Sequence, residues 1–195
     1  GAAGLVTSYI AAAVKAKVTL VERHRMGGDC LNYGCVPSKA LIKTATLVRQ
    51  MRHSADYGVK RAEFELDFAQ VMERVASVVK AIEPHDSVER YTGLGVDVRL
   101  GTAKIVDPWH VQITAADGSG TQTLSTRSIV VATGAAPFVP PLPGLDDTGY
   151  RTSDTLWDLR ELPRRLVVLG GGPIGCELAQ AFARLGSQVT QIEML

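Results

Sequence analysis

"RLVVLGGGPIG", residues 165–175, decides how this 195-residue chain folds. An apolar run, Leu166 to Leu169, leads into glycines at 170, 172 and 175, spaced G-x-G-x-x-G. Pro173 suits the first turn of a helix, where a missing N–H is no loss. The pattern predicts a helix over 174–185, and "QVTQIE" (188–193) reads as a returning strand that ends in an acid. Strand, glycines, helix, strand and acid, in that order, define a dinucleotide-binding unit. The glycines let the backbone approach a pyrophosphate at a helix N-terminus, and the acid accepts hydrogen bonds from a ribose. Gly170, Gly172, Gly175 and Glu193 are therefore candidate cofactor-binding residues.

The same unit occurs earlier in the chain. "GAAGLVTSYIAAAVKAKVTLVE" (1–22) aligns without a gap on "GPIGCELAQAFARLGSQVTQIE" (172–193), at a constant offset of 171. Gly1, Gly4, Ala12, Val18, Thr19 and Glu22 fall on Gly172, Gly175, Ala183, Val189, Thr190 and Glu193, so both copies place the acid 18 residues after the last glycine. Gly1 stands at the motif's middle glycine. The opening strand and first glycine of that copy are not in the sequence, which reads as a piece of a longer protein.

Between the copies, residues 66–92 have helical periodicity interrupted near Pro84. Strand-like runs at about 96–105, 110–115 and 121–126, joined by "DPWH" and "DGSG", predict an antiparallel meander. "SIVVATGAAP" (128–137) reads as a buried strand breaking at Thr133–Gly134, and "PFVPPLPG" (137–144) as a connector. The expected fold is α/β, with two Rossmann-like dinucleotide-binding units and an inserted antiparallel β-meander. The expected domains are 1–150 and 151–195.

Composition narrows the function. Apolar residues are 46% and charged residues 21%, ordinary globular usage that argues against disorder. A net charge of +1 gives no support for nucleic-acid binding. No apolar run reaches the roughly 18 residues that span a bilayer. Three cysteines do not make a secreted disulfide scaffold, so a reducing, cytoplasmic setting is expected.

Two of those cysteines sit in "GGDCLNYGCVPSKAL" (27–41). Zinc normally takes four ligands, and beyond this pair only Cys176 and the scattered His24, His53, His85 and His110 remain, so no metal site is expected. A structural staple across so short a loop would stabilise little. A redox couple has better support. A disulfide needs Cα atoms roughly 4.4–6.8 Å apart. A regular helix would separate positions 30 and 35 by a rise of roughly 7.5 Å, so a distorted turn is required, and Gly34 permits one. Pro37 suits the first turn of a helix through 38–51, with Cys35 at its N-terminal end. There the helix dipole and Lys39 favour a thiolate.

"GGDCLNYGCVPSKAL", followed in order by "VVATGAAP" and "VVLGGGPIGCELA", resembles the motifs of the flavoprotein disulfide reductases. Leu31–Asn32 and Pro37–Ser38–Lys39 are most similar to the dihydrolipoamide dehydrogenase and mercuric reductase group. The resemblance implies that the first unit binds FAD, through Gly1, Gly4, Glu22, Gly28, Asp29, Lys39, Thr133 and Gly134. It implies that the second binds the nicotinamide cofactor, and Glu193, whose carboxylate can bond a 2′-hydroxyl but repels a 2′-phosphate, favours NAD over NADP. Cys30 and Cys35 would form the redox disulfide, with Cys35 facing the flavin and Cys30 exchanging with a lipoyl-type dithiol. Lys39 and Glu177 would pair beside the flavin. It further implies a homodimer formed through a C-terminal domain that also supplies a His–Glu pair, so residues 1–195 alone are expected to be inactive. Metal-ion reduction is the nearest alternative activity, and a non-catalytic nucleotide-binding module is the alternative from another class. Asp29 and Tyr33 depart from the usual motif, at positions where Thr and a small aliphatic residue are common.

Overall fold

A computed structural model describes residues 1–194, and the chain passes back and forth between two compact units. The first comprises Gly1–Asn32 and Lys80–Ala136. The second comprises Tyr33–Val79 and the chain from Pro137 onward.

In the first unit, α1 (Ala2–Ala13) runs into β1 (Thr19–Glu22), followed by the short α2 (Gly28–Asn32). A Cβ on Gly4 would lie 3.4 Å from Leu20 Cδ1, ordinary contact that lets α1 pack on β1. The next helices in the chain, α3 (Cys35–Arg52) and α4 (Phe68–Ile82) as far as Val79, belong to the second unit. Pro84 ends α4 as expected: a 3₁₀ turn, Glu83–Asp86, separates it from α5 (Val88–Gly93). The strands β2 (Asp97–Asp107), β3 (His110–Ala115) and β4 (Thr121–Ser125) then complete a sheet in the order β1-β2-β3-β4. Leu5, Tyr91 and Val96 form its buried centre.

The meander is present, but it is not a separate insertion. β2 pairs in parallel with β1 over Asp97–Leu100, then antiparallel with β3 from Gly101. The strand is long enough to serve both neighbours, giving one sheet with parallel and antiparallel parts. Gly101 marks the change. A Cβ there would lie 2.2 Å from the Thr114 carbonyl oxygen.

The expected strand at 128–137 does not form, and Val130 and Val131 are 61% and 67% exposed. An extended apolar run becomes a strand only where a neighbour offers N–H and C=O groups to pair with. No described residue provides a ladder to this segment. The expected break survives as a left-handed Gly134, φ 72°.

In the second unit, β5 (Arg165–Leu169), α6 (Pro173–Leu185) and β6 (Gln188–Ile192) form a strand–helix–strand with parallel strands, Arg165 opposite Gln188. Helix α6 starts on Pro173, as its missing N–H favours. Leu41, Ala45 and Val48 of α3, Phe68, Met72 and Val75 of α4, and Phe182 and Leu185 of α6 share one core. The Arg52 guanidinium donates to the Arg184 and Leu185 carbonyls at 2.6 and 3.3 Å, a cation at the negative end of α6. Among the described residues, no helix is long and apolar enough to cross a membrane.

Candidate active site

The second glycine turn has the geometry its spacing demands. Gly170 adopts φ 111°, which a side chain would strain. A Cβ on Gly175 would stand 2.3 Å from the Gly170 carbonyl oxygen, so the helix meets the strand end only because this residue is glycine. Gly172 caps α6 without any side-chain hydrogen bond, and a Cβ there would meet nothing within 4 Å. No side chain caps α6, and the N–H groups of its first turn have no partner within the helix, the arrangement that receives a pyrophosphate. Glu193 closes β6 and accepts a hydrogen bond from the Gly171 N–H.

Two residues that hold this turn carry no sequence signature. Gln191 Nε2 donates to the Gly170 carbonyl at 2.9 Å. The Cys176 thiol donates to the Gly171 carbonyl at 3.1 Å. The third cysteine therefore supports the turn. Among the described residues there is no cluster of three or more metal-binding side chains.

Cys35 is the first residue of α3, with Gly34 as its cap at φ −112° and ψ −102° and no side-chain cap. It carries a free, exposed thiol at the positive end of the helix. Cys30 lies on α2 and is half-buried. Of the two, Cys35 is the more exposed. One turn into α3, Lys39 donates to Glu177 on the first turns of α6. The two side chains, 60% and 46% exposed, form an ion pair between the cysteine helix and the glycine-motif helix.

The first unit gathers most of its predicted residues. Gly28, at φ 56°, lies so near Gly1 that a Cβ would fall 2.3 Å from the Gly1 Cα. Asp29 is exposed, and its Oδ2 lies 3.5 Å from where a Gly134 Cβ would stand. Glu22 accepts from the His24 N–H at 2.9 Å, and its Oε2 lies 3.0 Å from the Gly1 nitrogen. Gly4 lies further along α1, beside Leu20 and Ala132, and Thr133 is exposed next to Gly134. Gly28 and Gly1 in close backbone approach, with Glu22 at the end of β1, fit a dinucleotide.

Residues 1–195 match the family described as pyridine nucleotide-disulphide oxidoreductase, and the chain belongs to that family. Its members are FAD-dependent enzymes that use NAD(P)H. A mercuric reductase from Streptomyces lividans is 40% identical over 198 residues, covering 96% of this chain and 40% of the relative. A dihydrolipoyl dehydrogenase from Geobacillus stearothermophilus is 39% identical over 200 residues, covering 99% of this chain and 40% of the relative. Among solved structures, the HOCl-induced flavoprotein disulfide reductase RclA from Escherichia coli superposes with a TM-score of 0.78. It is 30% identical, and the match covers 99% of this chain and 40% of that one. The chain thus spans about two fifths of the length of these three proteins.

Proposed function

We propose that this chain is part of an NADH-dependent disulfide oxidoreductase of the dihydrolipoamide dehydrogenase type, whose redox couple is Cys30–Cys35. One observation carries the reading: the helix that starts at Cys35 is ion-paired, through Lys39 and Glu177, to the helix of the second glycine motif. A thiol and a dinucleotide turn are thereby held in one compact unit.

FAD would be held by Gly1, Gly4, Glu22, Gly28, Asp29, Thr133 and Gly134, with Lys39 beside its reactive edge. NAD would be held by Gly170, Gly172, Gly175 and Glu193. When bound, FAD supplies two-electron exchange between the nicotinamide and the cysteine pair. The thiol steps belong to the protein. The Cys30 thiolate attacks one sulfur of a substrate disulfide, forming a mixed disulfide and releasing a thiolate that takes up a proton. The Cys35 thiolate then attacks the Cys30 sulfur, closing Cys30–Cys35 and expelling the second substrate thiol. The substrate gains the two electrons and two protons that the cysteines lose. A cytoplasmic setting follows from the cysteine usage, and a homodimer from the family resemblance. The similarity to mercuric reductase keeps divalent mercury as a second substrate class.

Glu193 supplies the test of the nicotinamide assignment. A carboxylate at that strand end can bond a 2′-hydroxyl but repels a 2′-phosphate. With lipoamide as acceptor, kcat/KM is expected to be higher for NADH than for NADPH. Glu193→Ala should shrink that ratio by about tenfold, equivalent to about 1.4 kcal/mol. A preference for NADPH in the unsubstituted protein would overturn the assignment. Mercury-dependent NADH oxidation without lipoamide turnover would select the second substrate class.

A further inference from the structure

The last turns of α3 and α6 lie side by side in the second unit, and their outward faces gather positive charge. On α3, the helical spacing i, i+3, i+4 brings Arg49, Arg52 and the capping His53 to one side. On α6, Gln180 and Arg184 stand in the i, i+4 relation. The other faces are spent on the shared core, through Ala45 and Val48 on α3 and Phe182 and Leu185 on α6. The five polar side chains, with Ala183, line a cavity of about 290 Å³ that has no carboxylate in its wall. Two of the guanidinium groups are held in place. Arg52 donates to the Arg184 and Leu185 carbonyls and stands 5.9 Å from the centre of the Phe64 ring. Arg184 Nη1 donates to Thr46 Oγ1 at 3.4 Å. The Arg49 guanidinium and the Gln180 amide have no partner among the described residues. Asp56 Oδ2 lies 3.8 Å from His53 Nδ1, outside the cavity wall. The negative ends of the two helices attract some of this charge, and Arg52 already serves α6. Three guanidinium groups around one cavity still repel one another, and nothing in the wall offsets the surplus.

We propose that this cavity binds a phosphate group, either inorganic phosphate or the phosphomonoester of a small metabolite. A guanidinium presents its N–H donors in a planar fork that matches the oxygen pairs of phosphate and carboxylate. Phosphate is the better match for three guanidinium groups and an amide, because it offers more acceptor oxygens and more negative charge than a carboxylate. Lys39 and Glu177 pair near the starts of the same two helices, so an occupant of the cavity joins α3 to α6 at the opposite end. Arg49 is the residue to change. It is exposed and its guanidinium makes no bond, so replacing it takes charge from the cavity and leaves the fold intact. Arg49→Glu should weaken phosphate binding by about tenfold or more, as expected for the loss of one charge-assisted hydrogen bond.

The test titrates the full-length protein, in excess FAD and NAD⁺, with inorganic phosphate or glycerol phosphate at constant ionic strength, and reads binding by calorimetry. Acetate is the control for charge alone. A dissociation constant below about 1 mM for either phosphate compound, raised at least threefold in Arg49→Glu, supports the proposal. The tighter of the two compounds then names the source of the phosphate. Weaker binding than that, equal binding of acetate, or a smaller change in Arg49→Glu overturns it. Phosphate held at either glycine motif falls in the last class, because Arg49 belongs to neither. Arg49→Gln removes the charge without reversing it and covers the case of an Arg49→Glu protein that fails to fold. Its phosphate affinity should also fall at least threefold while its flavin content and NADH affinity stay unchanged, and an unaltered phosphate affinity overturns the proposal.

Discussion

Replacing Lys39 with methionine is expected to lower NADH-driven disulfide reduction by about 100-fold, the scale on which a preorganised charge at a reacting centre acts. The same change should alter stability by less than about 1 kcal/mol, because exposed ion pairs contribute little to folding. Methionine keeps an unbranched stem and removes only the ammonium. The lost contact is with Glu177, and both side chains are about half exposed or more. Glu177→Gln leaves the cation in place, so its loss should be nearer tenfold. Rapid-mixing kinetics with NADH, set beside urea unfolding of the same samples, separates the two effects. A Lys39→Met protein that unfolds readily but turns over normally while folded would make the pair structural.

Gly175→Ala should be the most damaging one-carbon change in the second glycine motif. Its methyl would have to stand 2.3 Å from the Gly170 carbonyl oxygen, so strand end and helix start must separate. Overpacking of this kind costs about 1–3 kcal/mol. Separation also moves the N–H groups at the start of α6, and NADH affinity should fall by about tenfold, as a displacement of a binding turn by about 1.4 kcal/mol would produce. Gly172→Ala is the control, since its methyl meets nothing within 4 Å. Equal effects at both positions, in thermal unfolding and NADH titration, would contradict the packing explanation.

The elements punctuated by glycine and proline were legible before any coordinates. Pro173 opens α6, Pro84 ends α4, and "DPWH" and "DGSG" separate the meander strands. These signals are local, and local chemistry decides them. Residues 128–137 show where that reading stops. Their apolar run satisfies the sequence criterion for a strand, but strand formation depends on a partner, and none of the described residues provides one. The double use of β2 was hidden for a related reason, because a long apolar run does not say which neighbour pairs with which half.

The site divides in the same way. Glycine spacing exposed Gly170, whose φ of 111° the turn requires, and Gly175, where a Cβ would collide with the Gly170 carbonyl, together with Gly172, which has neither constraint. Lys39 and Glu177 lie 138 residues apart, so only the family resemblance suggested their pairing. Gln191 and Cys176 act through side-chain hydrogen bonds to backbone carbonyls, the first 21 residues away in sequence and the second five. Such bonds have no periodicity and no preferred spacing, and they became visible only once the chain was folded.

Anaerobic addition of NADH to the purified full-length protein, followed by mass-spectrometric mapping of alkylated cysteines, tests the proposed redox couple most directly. Cys176, exposed and outside the couple, should label in every sample. If electrons pass from nicotinamide to Cys30–Cys35, both cysteines resist alkylation in the oxidised protein and both label after NADH, Cys30 faster than Cys35. Labelling of Cys30 and Cys35 that is complete before NADH, or unchanged by it, would contradict the assignment.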